Sequence, residues 1–230
     1  MVDVAANYQK ILARMNEAAE KCGRNPREIR LLGAAKGQSV EALGAAIAAG
    51  VTLIGENYVQ EAAEKKKQLS DSIEWHMIGH LQRNKAKVAV DLFHLIESLD
   101  SLALARELDK EGVKRGKTMR AFVEVNLGGE ESKSGIGKNQ VSALLTEVVK
   151  LSHIRIEGLM TVPPFRENLE EVRPYFRELR QLRDSLATLR LPNVELKELS
   201  MGMTHDYTVA IEEGATIVRI GTALFGPRKT

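Results

Sequence analysis

A lysine, an arginine and two glycine-bearing turns are the parts of this 230-residue chain whose residue types and surroundings invite chemistry. Lys36 closes the apolar run IRLLGAAK at 29–36, directly after Gly33, Ala34 and Ala35. Small neighbours leave open volume beside its amine, and an amine so placed can attack an aldehyde to form a Schiff base; the plainer alternative is a strand-end lysine that reaches solvent. Arg219 sits in the apolar run TIVRIG at 216–221 and shares a face with Gly221 rather than Val218. A guanidinium there must be paired, either with an interior glutamate such as Glu124 or Glu157 or with a ring nitrogen of a bound cofactor. Ser200, Met201, Gly202 and Met203 lead into Thr204, which could cap the helix that runs through Ala210 and Ile211 to Gly214, and Ile220, Gly221 and Thr222 again combine a glycine with a hydroxyl. Turns of this kind can present backbone N–H groups to an anion, although ordinary tight turns have the same composition.

Other residues carry weaker signals. His76 and His80 are four apart, but Met77 stands where a zinc-protease helix needs glutamate, and the segment reads as a strand, so no metal site is expected. Glu64 to Lys67 reads as a solvated charge run, and Arg83, Lys85 and Lys87 as a basic cluster near the same end of the fold. Cys22 falls on an apolar helical stripe and is expected to be a buried core thiol. Gly137 and Lys138 precede Asn139 where a phosphate-binding loop needs a hydroxyl, so nucleotide binding has no support.

The elements that must position these groups are legible as a repeat. Val4, Tyr8, Ile11, Met15, Ala18 and Cys22 recur at helical spacing until Gly23 and Pro26 stop them. From Ile29 onward eight apolar runs follow, at 29–36, 52–57, 74–79, 92–98, 120–126, 154–160, 194–200 and 216–221, with amphipathic stretches between them. Eight alternating strand and helix units predict one (β/α)8 barrel over residues 1–230, with an additional N-terminal helix on its outside or bottom and its active face at the strand C-termini. The stretch LGGEESKSGIG at 127–137 reads as a loop after the fifth strand.

Composition narrows the classes. Hydrophobic residues make up 43% and charged residues 28%, with 33 basic against 31 acidic side chains, so neither disorder nor a bulk-charge nucleic-acid binder is expected. One cysteine excludes an internal disulfide and fits a reducing, cytoplasmic setting. No apolar run approaches the ~20 residues of a membrane span, and MVDVAANYQK lacks the pattern of a signal peptide, so the chain is expected to start at Met1.

AAK at 34–36, GENYVQE at 55–61, WHMIGHLQRNK at 75–85, KSGI at 133–136, GLMTVPP at 158–164 and SMGMTHDYTVAIEEGATIVRIGTALFG at 200–226 together make the chain resemble the pyridoxal phosphate homeostasis protein family, which shares the barrel of fold-type III enzymes such as alanine racemase. The resemblance implies pyridoxal 5′-phosphate as cofactor, an internal aldimine on Lys36, and a phosphate site at Ser200, Gly202, Gly221 and Thr222. It also implies a pyridine nitrogen facing Arg219, and Asn57 and Met160 lining the pocket. It further implies a carrier that buffers cofactor and supplies it to apo-enzymes, without catalytic residues; from charge balance and apolar-run length neither nucleic acid nor membrane is an expected partner, and the chain is expected to be a monomer. The rival expectation is a racemase-like enzyme. That chemistry needs a second acid or base on the opposite ring face, and Tyr8, Tyr58, Tyr175 and Tyr207 all fall in expected helices, Tyr58 one residue past a strand end.

Overall fold

The computed structural model describes residues 2–70, 72–130 and 134–227. Nine parallel strands form its sheet: β1 (Arg30–Ala34), β2 (Leu53–Glu56), β3 (Glu74–Met77), β4 (Leu95–Leu99), β5 (Met119–Asn126), β6 (Ile136–Gly137), β7 (Ile154–Met160), β8 (Val194–Met203) and β9 (Ile217–Ile220). The order β4-β3-β2-β1-β9-β8-β7-β5 closes on itself through β4–β5 pairing, while the two residues of β6 attach to the end of β5. Eight strands therefore make the expected TIM barrel. β6 is an addition within the stretch read as loop, and Lys133 of the KSGI motif lies outside the described residues.

Helices α2 (Val40–Ala49), α3 (Val59–Lys66), α4 (Ala86–Leu92), α5 (Leu102–Arg115), α6 (Val141–Val148), α7 (Arg173–Ala187), α8 (Tyr207–Glu212) and α9 (Thr222–Phe225) surround the barrel, preceded in the chain by α1 (Val4–Lys21). Their limits follow local chemistry. Asp3, Ser39 and Ser101 accept hydrogen bonds from Ala6, Ala42 and Leu104 at helix starts, and Gly50 and Gly116 end α2 and α5 in left-handed geometry. Leu92 and Phe93 belong to the end of α4, so β4 starts three residues later than its apolar run suggests.

α1 packs against α2, α8 and α9 on the outside of the barrel. Asn7 donates to the Leu224 carbonyl (3.1 Å), and a Cβ on Gly226 would stand 2.7 Å from Val2, so the first and last described segments lie side by side. Cys22 corrects the expectation of a core thiol: it caps α1, is exposed, and its thiol donates to the carbonyls of Ala18 and Ala19. The stripe ends one turn before it.

Two cores result. The large one fills the space between sheet and helices; a small one, made of Leu32, Leu53, Leu95, Phe122, Met160 and Ile217, fills the barrel interior. Below this apolar layer, Arg30 pairs with Glu74 and Glu198, and Arg120 with Glu74 and Glu157, forming an ionic floor at the strand N-termini.

Candidate functional site

The eight expected site residues fall on one arc of the barrel, between its apolar layer and its rim, because β7, β8, β9, β1 and β2 are consecutive. Met160 ends β7, Ser200 and Gly202 lie in β8, Arg219 in β9, Gly221 and Thr222 follow β9, and Asn57 follows β2. Lys36 stands two residues beyond β1 on a turn rather than at the last strand position, half-buried, with its Nζ 5.1 Å above the Tyr58 ring. Asn57, Tyr58, Gly79, His80 and Lys85 border a cavity of about 380 Å³ on this side of the mouth. Gly79 is required there, since a Cβ would lie 2.6 Å from the Asn57 carbonyl oxygen.

The turn that carries Lys36 is clamped from below. Lys65 Nζ donates to the Ala35 carbonyl (2.8 Å), to Glu56 (2.6 Å) and to Glu61 (3.0 Å), while Glu61 accepts from the Gly37 N–H (3.2 Å). The backbone is thus held on both sides of residue 36. Lys65 corrects the reading of residues 64–67 as a solvated face: it is buried, and Lys66 donates to the Leu92 carbonyl. A long side chain on α3 can turn inward when a buried carboxylate waits for it. Burial pushes the Glu56 carboxyl up, and Lys65 offsets only part of that shift.

Arg219 is buried in the upper barrel and donates to Ser200 Oγ and to the Thr161 carbonyl, both at 2.7 Å. Its nearest carboxylate is Glu97 at 4.0 Å, not Glu124 or Glu157; Glu157 belongs to the floor with Arg120. The Ser200 hydroxyl, expected at an anion, donates to Glu97 (2.5 Å) and so faces the interior. Met160 contributes to the apolar layer beneath. Two polar groups here have no protein partner among the described residues: Arg219 Nε and the buried Oε2 of Glu124. Burial raises the Glu124 carboxyl to about 7, against the pull of Arg219 and with the repulsion of Asp100 and Glu97.

The two candidate anion turns are tied together. Thr204 does not cap α8; its hydroxyl accepts from the Ala223 N–H after β9, while Asp206 accepts from the Met203 N–H (2.6 Å). Gly202 adopts φ +92°, and a Cβ there would stand 2.5 Å from the Ala210 Cβ, so the chain passes too close for any side chain. An amine, two backbone-rich turns and a buried cation with an unengaged donor suit a ligand that combines an aldehyde, an anionic group and a ring acceptor. Sequence reasoning missed Glu56, Lys65, Glu97, Thr161 and Asp206 as site residues. Glu56 and Glu97 had left a signal, each being a charge inside a strand-like apolar run.

His76 and His80 have separate surroundings. His76 is fully buried inside the barrel, whereas His80 is more than half exposed and pairs with Asp100 at 3.0 Å. No helix among the described residues is long and apolar enough to cross a membrane.

The family model described as alanine racemase, N-terminal domain, matches residues 6–229. A relative from Aquifex aeolicus (strain VF5), named pyridoxal phosphate homeostasis protein, is 47% identical over 99% of this chain and 100% of its own length. A crystal structure of an unknown protein from Bifidobacterium adolescentis superposes with a TM-score of 0.93 at 36% identity, covering 97% of this chain and 94% of that one. The structure of PipY from Synechococcus elongatus with pyridoxal phosphate bound gives a TM-score of 0.81 at 35% identity, covering 92% and 100%.

Proposed function

Because the chain belongs to the pyridoxal phosphate homeostasis protein family, built on the alanine racemase N-terminal domain, we propose that it binds pyridoxal 5′-phosphate at the rim, holds it covalently through Lys36, and buffers or supplies it within the cytoplasm as a monomer. Its recipients would be apo-enzymes that need the cofactor. When bound, the cofactor supplies an aldehyde and a conjugated ring able to withdraw electrons. Lys36 captures the aldehyde, on a turn that Lys65 and Glu61 keep in place. The phosphate falls to Ser200, Gly202, Gly221 and Thr222, with Ser200 contributing backbone because its hydroxyl is engaged by Glu97. Asn57 and Met160 line the pocket.

The observation that carries this reading is Arg219, a buried guanidinium with Nε unengaged below the turn that bears Lys36. A cation facing the ring nitrogen keeps that nitrogen unprotonated and weakens electron withdrawal, which suits holding a cofactor better than using it. The second reading, a racemase-like enzyme, is favoured by Glu124, a carboxyl in the mouth that can exchange a proton near neutral pH.

Absorption of the loaded protein before and after borohydride, followed by peptide mapping, tests the site: the permanent adduct is expected on the peptide containing Lys36, and an adduct confined to Lys65, Lys66 or Lys67 overturns the assignment. Deuterium uptake at Cα of alanine and serine separates the two readings. A carrier gives marginal exchange, whereas turnover of ~10 per second, typical of an enzyme, makes the chain a racemase.

A further inference from the structure

A line of hydrogen bonds runs up the barrel from its ionic floor to Arg219, and the cofactor reading uses only its upper end. His76 Nε2 meets Glu74 Oε1 at 3.1 Å and His76 Nδ1 meets Glu97 Oε1 at 2.6 Å. Glu97 Oε2 accepts from Ser200, and Ser200 accepts from Arg219. The imidazole crosses the apolar layer, edge-on to Phe122 with ring centroids 6.4 Å apart, and neither it nor Glu97 reaches solvent.

Chemistry fixes the direction of each bond. Carboxylates only accept, so an imidazole held between two of them donates from both nitrogens and is an imidazolium. Burial alone would push His76 down, but its bonds to Glu74 and Glu97 outweigh this and raise it; the same imidazolium, with Arg219, holds Glu97 below the usual carboxylate range despite burial. Ser200 gives its one proton to Glu97 and can offer Arg219 only lone pairs. Arg219 then spends two of its five N–H groups, one of NH1 on Ser200 and one of NH2 on Thr161, and Nε is among the donors left over. Its charge remains available because His76, from the other side, balances Glu97.

We propose that His76 is a positioning residue for the cofactor's ring nitrogen, acting through Glu97 and Ser200 on Arg219; this rests on the cofactor reading above. Without the imidazolium, Glu97 has only Arg219 to answer its charge, and the guanidinium turns toward it and away from the ring. The ring nitrogen then sits in a more negative mouth and takes up a proton more readily. Besides Arg219 (β9) and Glu97 (β4), the charged groups around it are Glu124 (β5), Asp100 after β4, Asp206 before α8, and, below, Glu74 (β3) with Arg30 and Arg120.

The test is the pH midpoint of the ring-nitrogen signal, read by nitrogen-15 resonance on full-length protein loaded with ring-labelled pyridoxal 5′-phosphate. His76→Gln should move that midpoint upward by one pH unit or more, a tenfold change in proton affinity. Binding of 4-deoxypyridoxine 5′-phosphate, which keeps ring and phosphate but has no aldehyde, should change less than threefold. Combining His76→Gln with Glu97→Gln removes both charges and should return the midpoint toward wild type, which a lost packing contact would not do. An unmoved midpoint in folded His76→Gln overturns the proposal while leaving the cofactor reading intact. Wild-type protein that yields no borohydride adduct on Lys36 overturns both. If the variants do not fold, the nitrogen-15 imidazole spectrum of wild type decides: His76 should carry both ring protons from pH 6 to 8 and shift on saturation with the deoxy analogue, and a neutral or unshifted ring overturns the proposal.

Discussion

Glu124 is held on β5 at a carboxyl value of about 7, mostly by burial, and this makes the folded state bind a proton that the unfolded chain releases near 4.5. A raised value contributes stability fully present below the unfolded value and lost as pH rises through the folded one. Wild type should therefore lose roughly 2 kcal/mol between pH 5 and pH 8 from this group alone. Glu124→Gln should remove that loss, so urea midpoints of the two proteins should diverge with pH; parallel midpoints would show that Glu124 is paired and ionised. The sequence RAFVEVN placed this glutamate in the barrel interior, and the same was legible for Arg219, whereas Lys36, expected at the end of a strand, stands on the turn beyond β1. What could not be read was pairing. Glu97 rather than Glu124 or Glu157 lies nearest Arg219 because barrel stagger sets which inward residues share a layer, and stagger leaves no local trace.

At the scale of elements, the β1–α2 turn depends on α3. Lys65→Met would leave Glu56, which is fully buried, without its cation, and would release the Ala35 carbonyl and, through Glu61, the Gly37 N–H. The expected cost is about 3 kcal/mol of folding stability, the low end for breaking a buried pair, together with at least a tenfold loss in cofactor loading. Adding Glu56→Gln should recover stability but not loading, since the carbonyl of Ala35 stays free. Denaturant unfolding and the visible band measure the two separately, and recovery of both by the double variant would show that the clamp has no part in placing Lys36. The helix itself was visible in the sequence. The inward turn of one lysine from a run of four charges was not, because spacing gives a residue's face but not where a flexible side chain ends. For the same reason Thr204 reads as the cap of its own helix and instead accepts from Ala223, a residue brought near only by the pairing of β8 with β9.

Across the whole molecule, each of the eight apolar runs overlaps a barrel strand, three of the strands extending past their run, and the outer helices follow from the amphipathic stretches between them. β6 escaped notice because two residues carry no periodicity, and the closing contact of β4 with β5 is a choice between open and closed sheets that unit count favoured without determining. The contact of α1 with α9, and of Val2 with Gly226, has a consequence for how the chain can be written. A short Gly/Ser linker could join the two ends, and new ends could be cut at the exposed α7–β8 connection, where Arg190 and Asn193 already adopt positive φ and few partners would be lost. Such a circular permutant would begin with β8 and run through β9 into β1, so that Ser200, Arg219 and Lys36 came from one continuous stretch instead of segments more than 160 residues apart. The barrel would then be indifferent to the order in which its strands are joined, while the amine and the two turns of the rim would leave the ribosome together rather than first and last.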